Sequence, residues 1–540
     1  MSLTELPGVY DAFAATARRY PGRPMLNVLA ETARIYDIPA GEIAYGAALA
    51  QVDAMADALA AAGYGPRMRV ALLLENRPVF FLTWLALNRL GASVVPINPD
   101  LRAAELEYMI GHAEPALIVA LPARAADLRA AAAAAGVALA VIAPGEVPPA
   151  PRAHAEVAAQ ETGARREAAV LYTSGTTGQP KGCVLSNIYF LDAGDWYRNL
   201  GGIAQLRADG ERMITPLPIF HMNAMACSFM GMIAVGGCLT ALDRFHPKSW
   251  WDDVRAARAT CLHYLGVMPS MLMGAPASAA DRAHDVRFGF GAGVDPKLQA
   301  EFEARFGFPL VEAWAMTETG AGAAISAHTE DRLVGRACLG KPTDAVELRI
   351  VDDAGADVAV GEPGELLIRR TGADPRFGFF TCYYKNPEAT DEAWEGGYFH
   401  TGDIVRQEAD GNLFFVDRKK NVIRRSGENI AAVEVESVLM RHPEITAAGV
   451  APVPDAVRGD EVFACLTVAA PSAAKAREIA EWALGQMAYY KVPGYIAFVE
   501  ALPLTATQKI QRAALKTMAA DLLAAGKAHD TTALKKRQVA

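Results

Sequence analysis

The chain is poor in the features that mark several protein classes. Cysteine is sparse: Cys183, Cys227, Cys238, Cys261, Cys338, Cys382 and Cys465 are scattered, odd in number and form no CxxC pair. That argues against a disulfide framework and a zinc site, and for a reducing, cytoplasmic compartment. A basic excess is lacking too. The net charge of -9 weakens a nucleic-acid partner, because phosphate backbones are held by basic surface. Residues 1–20 carry Glu5, Asp11 and arginines without an apolar core, so no signal peptide is expected. One uncharged run, 222–242, is long enough to cross a bilayer. Asn223, Ser228, Thr240 and Gly236-Gly237 interrupt it, and the glycines suit a buried helix that ends before a strand. No membrane span is expected, and the basic tail Lys535-Lys536-Arg537 reads as a solvated end.

Hydrophobic residues make up 52% and charged residues 21% of 540, the profile of a well-packed globular chain too long for one core. Apolar runs at 70–74, 93–97, 116–120 and 137–143 read as buried strands, separated by helices at 79–90, 103–111 and 125–135. Such alternation predicts a parallel sheet covered on both faces. A proline-rich break at 144–151 precedes another strand, 168–172, and the alternation continues to about 340. Short strands at 346–351 and 364–368 predict a small β unit. Beyond Asp417, helices at 433–441 and 476–487 and strands at 447–452, 461–468 and 495–499 predict a compact α+β module.

The segment Tyr172-Thr173-Ser174-Gly175-Thr176-Thr177-Gly178-Gln179-Pro180-Lys181-Gly182 is the richest in chemistry. Its glycines allow close backbone approach, its hydroxyls and Lys181 suit phosphate oxygens, and a loop of this kind can wrap a polyphosphate. A generic Gly/Ser/Thr stretch is more often a plain surface loop. It is not a Walker A loop, because glycine, not Ser or Thr, follows Lys181.

This segment resembles the signature of the adenylate-forming superfamily, which contains acyl-CoA synthetases, luciferases and peptide-synthetase adenylation domains. Matching segments recur in order. Phe220-His221-Met222-Asn223 resembles the segment whose histidine borders the acyl pocket, and Gly266-Val267-Met268-Pro269 a turn flanking it. Gly289-Phe290-Gly291-Ala292-Gly293 resembles a strand-end loop beside adenine and substrate. In Glu312-Ala313-Trp314-Ala315-Met316-Thr317-Glu318, the resemblance implies that Trp314 stacks on adenine, Thr317 bonds the α-phosphate and Glu318 helps hold Mg²⁺. Trp314 and Ala315 replace the usual Tyr and Gly, and Ala315 leaves room for more than a very short acid. In the Thr401-Gly402-Asp403 segment, Asp403 is implied to accept the ribose hydroxyls. Arg418 matches an arginine that reaches ribose and phosphates, Lys420 a hinge, and Gly427 the pantetheine tunnel. Lys491, after Tyr489-Tyr490, lies in the region that meets the CoA nucleotide. Lys509, in Thr507-Gln508-Lys509-Ile510, matches the adenylation lysine, with Gln508 in place of the common glycine. Singly, a lone His is more often a core residue, Thr-Gly-Asp a turn and Arg-Lys-Lys a solvated basic turn. The matches acquire weight by recurring together.

The resemblance implies a large N-terminal α/β region, 1–417, with two parallel-sheet subdomains and a small β unit. A small mobile α+β C-terminal domain, 418–540, carries the hinge and the catalytic lysine. It implies an AMP-forming acyl-CoA ligase using ATP, Mg²⁺ and coenzyme A on a carboxylic acid, without nucleic acid, and family members are often homodimers. Arg424-Arg425-Ser426-Gly427-Glu428-Asn429 and Lys491-Val492-Pro493 are similar to the crotonobetaine/carnitine-CoA ligase-like branch. Three other readings stay open. An amino-acid adenylation domain would usually carry Asp where His221 stands, and the chain ends about where a carrier domain would begin. A luciferase-like oxygenase shares most motifs. A catalytically silent nucleotide-binding homologue is disfavoured by Lys509, Glu318, Asp403 and Arg418 standing together.

Overall fold

The computed structural model describes residues 2–151, 163–173, 179–329, 331–418, 422–503 and 510–536, leaving out the side chains of Asp417 and Arg418. Four sheets organise these residues. In the first, Ala140–Ile142, Leu117–Ala120, Arg69–Leu73, Ser93–Pro96 and Glu167–Thr173 lie side by side and parallel. The helices between them follow the apolar pattern: Pro78–Arg89, with proline at its start where the missing N–H costs nothing, is buried along almost its whole length. Ala103–Ala113 and Ala125–Ala134 cover the sheet in turn. Glu167–Thr173 then folds back on Lys181–Ser186, which pairs with Cys382–Tyr383 at the edge.

The second sheet holds Leu310–Trp314, Phe288–Ala292, Cys261–Leu265, Arg212–Thr215, Cys238–Ala241 and Pro24–Val28 in parallel, with a short antiparallel strand at each edge. The pairing of Pro24–Val28 with Cys238–Ala241 brings the start of the chain into this sheet. No local pattern signals a contact over that separation. Within the uncharged run, the helix Phe229–Val235 ends at Gly236, left-handed at φ 64°, before the strand Cys238–Ala241, as the glycine pair suggests. No helix among the described residues is long and apolar enough to cross a membrane.

A third, antiparallel sheet carries Val346–Val351, Pro363–Arg370, Phe399–Gln407, Leu413–Arg418 and Cys338–Gly340. One continuous apolar core joins it to the first two sheets. The fourth sheet starts with the hairpin Val422–Arg425 and Glu428–Ala431, continues through Ile445–Asp455, Gly459–Val468 and Tyr495–Phe498, and is covered by the helices Ala432–Leu439, Ala473–Gln486 and Arg512–Ala524. Its apolar clusters contain residues from Ile423 onward and one intruder, Ala104. This is the mixed α/β architecture anticipated from the sequence.

The basic tail corrects one expectation. Lys535 is not solvated: its fully buried ammonium pairs with Glu461, which also accepts from Arg425 Nε at 2.8 Å. Burial pushes the Lys535 ammonium down to about 7, with Arg425 adding to the effect and Glu461 opposing it. Gln at 461 would leave the buried Arg425 cation without its carboxylate and push the Lys535 ammonium down further, and breaking a buried pair typically costs about 3–5 kcal/mol. Glu461→Gln is expected to lower the unfolding free energy of the C-terminal region by that order, measured by chemical denaturation. A change below about 0.5 kcal/mol would contradict the assigned role of the pair.

Candidate active site

Parallel strands buried on both faces expose reactive groups only at their ends, and the loops beyond their carboxyl ends are where ligands bind in open α/β sheets. Thr173 closes one such strand and stands directly opposite Lys181 across the antiparallel pair. The loop between them therefore joins strand to strand, a further difference from a Walker A loop, which enters a helix. Ser174, Gly175, Thr176 and Thr177 lie outside the described residues. The Lys181 ammonium sits 4.5 Å above the Tyr383 ring, and the Tyr383 hydroxyl donates to Glu318 Oε1 at 2.9 Å. Burial, reinforced by Glu318, raises the pKa of the Tyr383 phenol far above its ordinary value, so it remains a donor. Glu318 is itself buried. Tyr383 connects two motifs far apart in sequence, and only its position on the edge strand reveals it.

The second sheet contributes three strand ends. Gly291 admits no side chain, since a Cβ there would lie 2.2 Å from the Tyr264 carbonyl oxygen. Ala292 and Gly293 follow, exposed, with Gly293 left-handed at φ 80°. Glu312 shapes this loop from below. Its Oε2 accepts from Gly293 N–H at 2.8 Å, and its Oε1 accepts from Val294 N–H at 3.2 Å and Tyr264 Oη at 2.5 Å. Burial pushes the Glu312 carboxyl up to about 7, against the pull of these donors. Two residues on, buried Trp314 donates its indole N–H to Asp403 Oδ2 at 2.8 Å, tying the second sheet to the β unit. Ala315 is exposed, while Met316 and Thr317 are half-buried on the turn leading to Glu318. Gly266-Val267-Met268-Pro269 is no turn: Gly266 precedes the helix Val267–Met273, so this expectation is corrected.

His221 marks the third strand-end loop and is half-exposed beside Phe220. The π-helix Asn223–Ser228 that follows is pinned by buried His263, whose Nδ1 lies 2.8 Å from Asn223 Oδ1. π-helical turns are rare and recur at functional sites. Burial pushes His263 down to about 3, so it stays neutral.

The C-terminal region reaches the same place. In its first hairpin Ser426 and Gly427 both have positive φ, 52° and 89°, as a two-residue primed turn requires. A Cβ on Gly427 would lie 2.4 Å from Leu265 Cδ1, so this turn is pressed against the second sheet. Glu428 lies 3.6 Å from His221 Nε2. Thr173, His221, Glu428 and Lys491 all line one cleft between the regions. The Lys491 ammonium is buried between Glu105 and Glu434, at 2.7 Å and 2.5 Å, and does not point to solvent. Arg418 ends its strand opposite Asp403, with its side chain outside the description; Lys420 and Lys509 lie outside the described residues. Sequence reasoning missed Tyr383, Glu428 and Glu105, each of which owes its position to a partner remote in the chain.

Residues 13–384 match the AMP-binding enzyme family, and residues 434–509 match the AMP-binding enzyme C-terminal domain. The chain belongs to the AMP-binding enzyme family. A crotonobetaine/carnitine–CoA ligase of Salmonella paratyphi A is 30% identical over 519 residues, 92% of this chain and 98% of the relative. In structure, a fatty acyl CoA synthetase of Mycobacterium tuberculosis superposes with a TM-score of 0.67 at 25% identity, covering 95% of this chain and 98% of that one. An o-succinylbenzoate CoA synthetase of Bacillus subtilis shares the fold, with a TM-score of 0.77 at 23% identity over 94% of this chain and 98% of that one.

The Glu312 arrangement makes a prediction with a defined sign. The folded carboxyl titrates near 7 against an ordinary 4.5, so between these values the folded protein binds a proton that the unfolded chain lacks. The contribution to stability is therefore full below pH 4.5 and lost as pH rises through about 7. A shift of this size corresponds to about 3 kcal/mol. Glu312→Gln is expected to flatten this slope in denaturation measured from pH 5 to 8, and to weaken ATP binding about tenfold through loosening of Gly293–Val294. An unchanged pH slope would remove Glu312 as its source.

Proposed function

We infer that this protein, an AMP-forming acid–CoA ligase, works in two steps at the cleft where the strand ends meet the Gly427 turn. In the first, the substrate carboxylate attacks the α-phosphorus of ATP and pyrophosphate leaves. In the second, the CoA sulfur bonds to the acyl carbon, the acyl–phosphate C–O bond breaks, AMP leaves with the electron pair and the thiol proton passes to water. No enzyme nucleophile is required, so the protein's work is positioning and charge neutralisation.

The observation that carries this reading is one cleft where loops at the ends of three parallel strands, at Asn98, Thr173 and His221, meet the C-terminal hairpin at Glu428 and Asn429. The loop between Thr173 and Lys181 would cradle the phosphates. Trp314 would face adenine while its indole N–H orients Asp403 for the ribose diol, an arrangement supported by their direct hydrogen bond. Arg418 would add charge to ribose and phosphates, and Thr317 would bond the α-phosphate. Among the described residues no group of three His, Cys, Asp or Glu could hold a metal. A single buried carboxylate, Glu318, fits Mg²⁺ held mainly by phosphate and water, where the ion would neutralise charge on the triphosphate. His221 and Met316 would border the acyl group, with exposed Ala315 leaving room beside them. Lys509 would stabilise charge in the first step, and the small domain, 418–540, would turn about Lys420 between steps. The seven free thiols suit a reducing, cytoplasmic setting.

The test is acid-dependent AMP release with Mg²⁺, with and without CoA, across short, branched, aryl and trimethylammonium acids. AMP and thioester appearing together for one acid class supports the ligase and identifies its substrate. Persistent ATP–pyrophosphate exchange without CoA turnover in any class would sink the second step. Lys509→Ala is expected to reduce acid-dependent exchange about 10²–10³-fold, the usual effect of removing one preorganised charge donor. It should leave transfer from supplied acyl-adenylate to CoA nearly intact. Equal losses in both steps would remove Lys509 from the proposed role.

A further inference from the structure

Lys491 is held between the two regions. Its ammonium contacts Glu105 Oε1 at 2.7 Å and Glu434 Oε1 at 2.5 Å, and all three side chains are less than 10% exposed. Glu434 belongs to the C-terminal region, as Lys491 does, so their pair moves as one body. Glu105 does not. It sits in the first turn of the helix Ala103–Ala113, where its Oε2 caps Arg102 N–H at 3.0 Å and also accepts Ala488 N–H from the C-terminal region at 2.8 Å. One carboxylate thus receives an ammonium and a backbone amide from across the boundary. The next residue back, Ala104, is buried in the C-terminal region's apolar cluster, and Asn98 Nδ2 donates to Tyr490 Oη at 2.8 Å.

The balance of charge shows what this contact demands. Two carboxylates and one ammonium are buried together, and Glu434 Oε2 has no partner among the described residues. Burial works against the Lys491 ammonium, yet Glu105 and then Glu434 hold its pKa above the ordinary lysine value. A lone Lys491–Glu434 pair would be charge-neutral without Glu105. Docking Glu105 onto it buries a second carboxylate, which is tolerated only because Glu105 also gains the Ala488 amide and keeps its helix cap. The contact is directional: it forms only when the C-terminal region is seated as here, with Gly427 against Leu265 and Glu428 beside His221.

We propose that Glu105 is a positioning residue for the thiol-transfer step, seating the C-terminal region so that its Gly427–Asn429 turn closes on the acyl site. The inference rests on the two-step reading above. It also gives Lys491 a role inside the boundary, not on a CoA phosphate. Both carboxylate oxygens of Glu105 are engaged, by Arg102, Ala488 and Lys491. Its effect passes through Lys491 and Ala488 to the hairpin.

The test separates the half-reactions in the full chain. Glu105→Gln keeps the shape and the helix-capping oxygen but removes the charge that holds Lys491. Acid-dependent ATP–pyrophosphate exchange is expected to stay within about twofold of wild type, while transfer from acyl-adenylate to CoA falls about 30-fold or more in kcat. KM for CoA should change little. Lys491→Met in the Glu105→Gln background should add little further loss. Glu105→Asp, which retains the charge, should recover part of the rate.

A readout free of activity accompanies this: spin labels at exposed Glu388→Cys and Arg477→Cys, with half-exposed Cys382 replaced by Ser. The parent is expected to show one dominant distance, broadened or shifted by Glu105→Gln. Equal loss in both half-reactions, an unchanged transfer rate, a rise in CoA KM alone, or an unaltered distance distribution would each overturn the proposal. If the parent makes no thioester with any acid, the ligase reading fails, and the label distances still decide whether Glu105 seats the region.

Discussion

A parallel strand buried on both faces can place its chemistry only at its end. Two sheets of such strands stand in one apolar core, and their carboxyl ends supply Thr173, the His221 loop, Gly291 to Gly293 and Trp314 to Glu318. The helices and apolar side chains serve this arrangement by excluding water from the strands, which leaves polar groups concentrated at the rim. Everything else at the site is a means of holding rim loops still.

Those means are buried polar groups with specific partners. Glu312 gathers two backbone amides and a tyrosine hydroxyl, His263 pins a π-helical turn, and Trp314 ties Asp403 to the second sheet. Each group is costly to bury alone and favourable once satisfied, so each fixes one geometry more firmly than apolar packing would. Glycine acts in the opposite way. Gly291 and Gly427 allow backbone to approach where a Cβ would collide with Tyr264 or Leu265.

Across the cleft the logic changes from rigidity to seating. The C-terminal region has its own apolar clusters, and among the described residues its contacts with the rest include Ala104, the Glu105–Lys491 contact, the Asn98–Tyr490 bond, the Glu428–His221 approach and the Gly427 turn. A boundary built on a handful of directional polar contacts can be made and broken as a unit, which a large apolar interface cannot. That suits a reaction whose two steps need different neighbours at the same carbon.

By itself, the sequence determined what is local. Apolar runs and their spacing located the five parallel strands of the first sheet and five elements of the C-terminal module within a few residues, but not the hairpin 422–431 or the helix Arg512–Ala524. The Gly236-Gly237 pair correctly placed a helix end before a strand. Motif order disclosed the family. The tertiary structure alone decided what depends on partners far apart in the chain. Pro24–Val28 joins a sheet beside Cys238–Ala241, Tyr383 links Lys181 to Glu318, and the tail lysine Lys535 is buried against Glu461. Likewise Lys491, placed by its motif in the region that meets the CoA nucleotide, faces two carboxylates, one of them nearly 400 residues earlier. Periodicity reports which face of an element is apolar, because that follows from backbone geometry. It carries no information on which distant charge will meet a given lysine, because that is settled only when whole layers pack.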